Sequence, residues 1–324
     1  MHSTRNENVT GDYLLNCKNA QQCFMSQDLE DCSYCQLILF GASKDSYDIS
    51  IAVGERCYEI QEAGGYNVQF SWRNMPKNLA TGAINLDNLQ YTVHCSNVSD
   101  LFACVGMRNA RYCIFNKQYS KEEYFALRTK IIEHMKEMPY TDAHGRTYSY
   151  GEFFPPELSP FAYNETIAQE YFPLTKAEAL AQGYRWRDED HKTYSTTLRA
   201  ADLPDTPATA AANMRQLTKD TITCAHQGTC THQCTGAYRI IEAELAFYQR
   251  LKLPLPHLCP NCRHYGRLAQ RNPIALYPRQ CTCTLAGHNS HTANTQCPTT
   301  FQTSYAPNRP EKIYCEYCYQ KEIL

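Results

Sequence analysis

No apolar run in this chain approaches the roughly 20 residues that span a bilayer. The opening stretch, MHSTRNENVTGDYLLNC, lacks the basic flank, apolar core and small-residue cleavage site of a secretory signal. A cytoplasmic protein with no membrane partner is therefore expected. No Gly-x-Ser-x-Gly, phosphate loop or dinucleotide fingerprint is present, which removes the hydrolase, nucleotide and dehydrogenase classes those motifs mark. Residues 224–324 contain no Asp, and no His-x-Glu precedes Cys259. A zinc deaminase is thereby excluded, and a carboxylate-rich hydrolytic metal centre is disfavoured. His264, next to Cys262, is left as the one imaginable general base of a metal-dependent nuclease or other hydrolase. A non-catalytic role is preferred to that alternative.

What the chain has in abundance is cysteine, 18 in 324 residues. In a reducing compartment such richness points to metal sites rather than disulfides; a secreted disulfide protein is the rival. Charge is uneven. Residues 1–223 carry 21 Lys and Arg against 28 Asp and Glu, whereas residues 224–324 carry 10 against 5. The basic excess of the second segment suggests nucleic acid. A zinc ion held by four thiolates nevertheless adds about −2, so two such sites would remove most of it.

The first 117 residues read as a repeat. Asn or Asp, a small or apolar residue and two variable positions recur from Asn19, Asp28, Asp45, Asn67, Asn78, Asn88, Asn97 and Asn109. Their spacing is close to multiples of ten, which suits a β-solenoid with about two units per coil. Asn belongs at the corners because it tolerates left-handed backbone. Cys17, Cys23, Cys32, Cys35, Cys57, Cys95, Cys104 and Cys113 then fill the coil interior as small buried thiols. A third metal site on Cys32 and Cys35, and a β-sandwich fold, are the rivals.

Residues 118–138 predict a helix that caps the repeat. Ser120 and Glu123 form a capping box, Tyr124, Leu127, Ile131, Met135 and Met138 make an apolar stripe, and Pro139 stops it. Residues 139–223 predict an extended linker rich in Pro and aromatics, with one short helix capped by Thr175 and Glu178 and ended at Gly183. His191 with Asp188 and Asp190 reads as a solvated loop rather than a metal cluster.

Residues 224–324 carry the chemistry, as two tandem zinc-ribbon or treble-clef-like modules, 224–271 and 272–324. Each has an upstream cysteine group, an apolar span and a Cys-x-x-Cys that opens a helix: CAHQGTCTHQC before Cys259-Pro-Asn-Cys262, and CTC with Cys297 before Cys315-Glu-Tyr-Cys318. Tetrahedral zinc takes four soft ligands, two from the Cys-x-x-Cys and two from a distant pair. Two Zn2+ ions are expected. The ligands are Cys230, Cys234, Cys259 and Cys262 in the first module, with Cys224 as an alternative to Cys230. In the second they are Cys281, Cys297, Cys315 and Cys318, with Cys283 as an alternative to Cys281. His226, His232, His288 and His291 lie in the same excursions as possible substitutes.

The stretches ELAFYQRLKLPLPHLCPNCRHYGRLAQRNP, TSYAPNRPEKIYCEYCY, YCIFNKQYSKEEY and GEFFPPELSPFAYNETIAQEYFPLT resemble an uncharacterised family of Cys-rich zinc-ribbon proteins from genomes of uncultivated bacteria. The simpler members carry Cys-x-x-Cys where this chain has CTC, an insertion and Cys297. Members are often longer at the N-terminus, which implies a chain that begins inside a solenoid. The resemblance implies the architecture and brings no activity or substrate with it.

Arg263, Arg267 and Arg271 fall at i, i+4 and i+8 of the helix after Cys262, and Arg279 follows. One reading makes them a phosphate-gripping, nucleic-acid-binding face. The other has them pair with the acidic N-terminal half, or donate to carbonyls and thiolates around the metal. The expected fold is thus mixed α+β, and the expected function is non-catalytic zinc binding with nucleic acid as partner. The alternative is a scaffold that binds a protein on the solenoid.

Overall fold

A residue turned inward at every third position organises the first third of the chain. The computed structural model describes residues 3–62, 64–75, 85–188, 194–204, 214–230, 233–287, 291–292 and 294–323. Cys17, Ala20, Cys23, Ser26, Leu29, Cys32, Cys35 and Ile38 are all buried. Two residues after each of the first seven stands a left-handed corner: Asn19, Gln22, Met25, Asp28, Asp31, Tyr34 and Leu37 all have positive φ. The unit is therefore a triplet of inward residue, outward residue and corner.

Four triplets close one coil. Gly11 pairs in parallel with Cys23, Leu14 with Ser26, and Leu101 with Cys113, each twelve residues on. Coils of eleven residues occur where Tyr47 pairs Tyr58, and one of fourteen where Leu29 pairs Ser43. The result is a β-solenoid of about eight turns over residues 11–114. The expected unit of about ten residues, two to a coil, is corrected by this register. Steps of nine and twelve between Asn and Asp are three and four triplets. All seven described positions of that series, Asn19, Asp28, Asp45, Asn67, Asn88, Asn97 and Asn109, sit at corners with positive φ. Asn78 lies outside the described residues.

A left-handed corner costs a side-chain-bearing residue roughly 1 kcal/mol. Hydrogen bonds to the neighbouring coil offset this. Corner amides donate to the coil before, as Asn16 does to Thr4 O and Asn19 to Glu7 O, both at 2.9 Å. Asparagine side chains do the same on the outside. Asn85 Nδ2 donates to Asn97 Oδ1 at 2.9 Å, and Asn97 Nδ2 to Asn109 Oδ1 at 2.5 Å. Gly11 is required for a different reason. Its φ is +130°, and a Cβ there would lie 1.7 Å from the carbonyl oxygen of Cys23 on the next coil.

Thiols share the interior with Leu, Ile, Val and Ala. All eight solenoid cysteines are buried and free. Each donates to the carbonyl two residues before it; Cys95 Sγ reaches Val93 O at 3.5 Å and also Cys104 O, one coil on, at 3.6 Å. Burial raises the pKa of Cys57 and of Cys104, each to about 11. Neutral S–H donors are what carbonyl acceptors demand. Inward serines bridge coils likewise: Ser46 Oγ donates to Lys44 O and accepts from Cys57 N.

The helix Lys121–Glu137 caps the C-terminal coils. Its Ser120–Glu123 capping box is formed. Tyr124 is buried with Phe70, Tyr91, Phe102 and Ile114, and Leu127, Ile131 and Met135 pack against them. Met138, counted in the same stripe from its spacing, is 69 % exposed instead, one residue past the helix. The aromatic linker lies on the same flank. Gln90 Nε2 donates to the Tyr150 hydroxyl, Gly151 N to the Tyr91 hydroxyl, and Phe153 and Phe154 join the cluster.

The chain forms two compact units, which cut across the linear divisions that spacing suggests. One holds residues 1–160, 180–184 and 273–324, so the second cysteine module belongs with the solenoid. Ser304 hydroxyl hydrogen-bonds the buried Asp12 carboxylate there. The other holds residues 161–179 and 185–272, where Leu198, Leu203, Leu217 and Ile222 pack around Cys224, Cys259 and Cys262. The linker is thus divided between the two bodies. Among the described residues no helix is long and apolar enough to cross a membrane.

The Asn ladder makes a two-variant test of the corner argument. Asn97→Ala removes two ladder bonds and leaves a β-carbon in left-handed backbone; Asn97→Gly removes the same bonds but relieves the backbone. Urea unfolding followed by far-ultraviolet circular dichroism is expected to rank the native chain above the Gly variant and the Gly above the Ala, with Ala down by about 2 kcal/mol.

Candidate metal centres

Both cysteine modules are built by the same hydrogen bonds. In the first, a strand Ile222–Thr223 pairs antiparallel with Ala237–Tyr238, and the excursion between them carries Cys224 and Cys234. In the second, Tyr277–Gln280 pairs antiparallel with Thr300–Thr303, and Cys281 and Cys297 lie between. Cys224 N donates to Gly236 O and Ala225 N to His257 O; Cys281 N donates to Thr299 O and Thr282 N to Ile313 O. Each bond falls at the same offset from the cysteines. Cys224 is therefore the counterpart of Cys281, Cys234 of Cys297, Cys259 of Cys315, and Cys262 of Cys318.

The Cys-x-x-Cys pairs open helices because a helix start has free amides. Pro260 occupies the first helical position, where no N–H is needed, and Cys259 caps the helix Pro260–Leu268. Cys262 N donates to Cys259 Sγ at 3.5 Å, and Cys259 N to Cys224 Sγ at 3.3 Å. In the second module Cys315 N donates to Cys281 Sγ at 3.2 Å. The helix Glu316–Ile323 follows. Here sulfur is the acceptor, which suits a thiolate.

Two four-thiol sets result. The ligand atoms of Cys224, Cys234, Cys259 and Cys262 lie within 4.8 Å of one another, as do those of Cys281, Cys297, Cys315 and Cys318. All are buried except the half-buried Cys234. Either set could hold a metal ion, and the donor chemistry, four soft sulfurs with amide support, fits zinc modules. Burial raises the Cys259 thiol, but hydrogen bonds from the Cys262 amide and from Thr235 outweigh it and bring the pKa down to about 6. Burial and the four sulfurs around it raise Cys262. A cation would remove that conflict, since it lets all four ionise.

The geometry places Cys224, rather than Cys230, in the first four-thiol set. Cys230 sits 3.6 Å from Cys262 Sγ and groups with His226. Cys281 takes its place in the second set, and Cys283 groups with His291 and Cys318. His232 and His288 lie outside the described residues, as do Asp190 and His191. Cys32 and Cys35 belong to no such set; the thiols of Cys23, Cys32 and Cys35 interact with one another, which lowers the pKa of Cys23 and Cys32 and raises that of Cys35.

The arginines are mostly engaged. Arg263 donates to the Tyr248 hydroxyl at 2.9 Å and to Glu244 at 3.3 Å. The Arg271 guanidinium lies 4.5 Å from the centre of the Tyr171 ring. Arg279 donates to the carbonyls of Tyr305 and Ala306. Arg267 is exposed. His264 Nε2 stands 3.0 Å from Glu170 Oε1. Spacing alone could not show these partners, because Glu170, Tyr171, Glu244 and Tyr305 are remote in sequence.

The engagement separates two arginines one helical turn apart. Arg263→Ala takes the guanidinium from half-buried Glu244 and Tyr248, which keep only their hydrogen bond to each other, and is expected to cost about 1–2 kcal/mol in denaturant unfolding. Arg267→Ala should change stability by less than about 0.5 kcal/mol. Equal effects would contradict the contact geometry. Compared with known proteins, the chain matches no family model and no curated sequence.

Proposed function

We propose that this protein is a non-catalytic, zinc-stabilised scaffold that binds a protein partner on its solenoid. The observation that carries the reading is the pair of equivalent four-thiol sets, each with amide donors aimed at sulfur. One zinc in each set would hold a β-hairpin against a helix start, a treble-clef-like arrangement. Cys224, Cys234, Cys259 and Cys262 bind the first ion, and Cys281, Cys297, Cys315 and Cys318 the second. That all eighteen cysteines are free thiols supports a reducing, cytoplasmic setting. The resemblance to Cys-rich zinc-ribbon proteins agrees with this assignment.

Support for a protein partner comes from the solenoid surface. Tyr47 and Tyr58 stack in register on successive coils and are 49 % and 37 % exposed. Tyr34 and Phe40 add exposed rings from the neighbouring coil. Exposed tyrosines are the residues that protein interfaces recruit. Nucleic-acid binding through Arg263, Arg267, Arg271 and Arg279 draws less support. Three of the four already serve Glu244, Tyr171 or backbone carbonyls, and a phosphate would have to displace those partners.

Metal removal tests the zinc assignment. Purified chain should hold no fewer than about two zinc ions. A strong chelator should unfold the cysteine modules while the β signal of the solenoid persists, and Cys234→Ser or Cys297→Ser should each lower the zinc content. Metal-free protein whose modules resist chelator would refute it.

For the partner, full-length bait and its Tyr47→Ala/Tyr58→Ala variant should differ. The native chain is expected to retain one defined protein that the variant loses by at least about tenfold. Salt-dependent retardation of nucleic acid, abolished by Arg267→Ala, would decide for the other partner class.

A further inference from the structure

Beside each four-thiol set lies a second group of donors that shares one sulfur with it. In the first module His226, Cys230 and Cys262 have ligand atoms within 4.8 Å of one another; in the second, Cys283, His291 and Cys318 do. The shared atom is in both cases the second sulfur of the Cys-x-x-Cys. Each added pair is one thiol and one imidazole, and their order is exchanged: His226 then Cys230 in one module, Cys283 then His291 in the other. His226 and Cys283 occupy equivalent places, two residues past Cys224 and Cys281. Crowding at a hairpin tip has no reason to keep one sulfur and one nitrogen while swapping their positions. A ligand set has that reason.

We infer that each module holds a two-metal centre, with Cys262 and Cys318 as bridging thiolates. The second ion takes one imidazole, one terminal thiolate and the bridge, and its fourth position goes to water. Zinc accepts this donor set, and three protein ligands leave one position of its tetrahedron for water. Charge favours it. A tetrathiolate zinc carries about −2, and a second Zn2+ with one more thiolate brings the centre to about −1. Sulfur separations of 3.8 Å from Cys262 to Cys224 and 3.6 Å to Cys230 place the bridge between the two sets. Cys318 Sγ is 3.9 Å from His291 Nε2. His226, Cys230 and His291 are only half-buried, so water can reach the open side.

The inference rests on zinc in the four-thiol sets, and the test separates the two claims. Full-length protein from zinc-replete medium should hold about four zinc ions per chain. His226→Ala/Cys230→Ala and Cys283→Ala/His291→Ala should each lose about one ion and keep the native circular dichroism spectrum. Cobalt(II) titration of the stripped native chain gives a second reading that needs no variant. Paramagnetic resonance intensity should grow over the first two equivalents and fall over the next two, because a thiolate bridge couples the spins. About two zinc ions, unchanged in both variants, or cobalt intensity that rises throughout, overturns the two-metal centre and leaves the four-thiol assignment intact. Protein with no zinc overturns both.

Discussion

Four sulfur atoms held within 4.8 Å of one another cannot all be thiolates without a cation, nor do backbone amides aimed at them suit neutral thiols. That conflict governs the C-terminal modules. The solenoid buries as many cysteines, but each of its sulfurs has a carbonyl to donate to. Two things act on a buried cysteine: the direction of its hydrogen bonds and burial itself. Cys17, Cys95 and Cys113 donate to oxygen and stay protonated. Cys224, Cys259 and Cys281 accept from backbone nitrogen; at Cys259 this brings the pKa down to about 6, whereas at Cys281 burial prevails and raises it. Cys104 does both, donating to Phe102 O and accepting from Asn116 N, and its raised pKa shows that burial prevails there.

The solenoid was legible as a solenoid, but not at its true period. Its inward positions, such as Leu86, Leu89, Thr92, Cys95, Val98, Leu101 and Cys104, repeat every three residues without a gap. Asn and Asp mark only some of the corners. Gln22, Met25, Tyr34, Leu37 and Ile51 take the same left-handed conformation, and no propensity rule assigns such residues to it. Inter-coil bonding imposes the conformation on them. Coils of eleven and fourteen residues then blur a series read from Asn and Asp alone. The fold came through because the interior demands apolar or thiol side chains wherever the corners fall.

The modules were legible to the level of a cysteine count per site. Cys-x-x-Cys before a helix is local, and its chemistry reads directly from spacing. The distant pair does not. Cys224 and Cys230 are six residues apart in one excursion, and only strand pairing shows which meets Cys259. The hydrogen bonds that align Cys224 with Cys281 settle the counterparts without reference to any ion. They also place Cys230 beside the bridge position. The partners of the arginine helix were not legible for the related reason that they come from other segments.

The division of the chain into two bodies follows from the same local chemistry. The second module shares a unit with the first coils, through Ser304 on Asp12, although nearly the whole sequence separates them. The first module builds its core from linker residues Leu198, Leu203 and Leu217. Each module is small, and the first packs its own Tyr238, Ile240, Leu245 and Leu255 together with those linker residues. Small domains stapled by metal adopt this solution when disulfides are denied to them. The solenoid has a different staple, since its coils are bonded one to the next through the backbone, with thiol and asparagine bridges added at many of them.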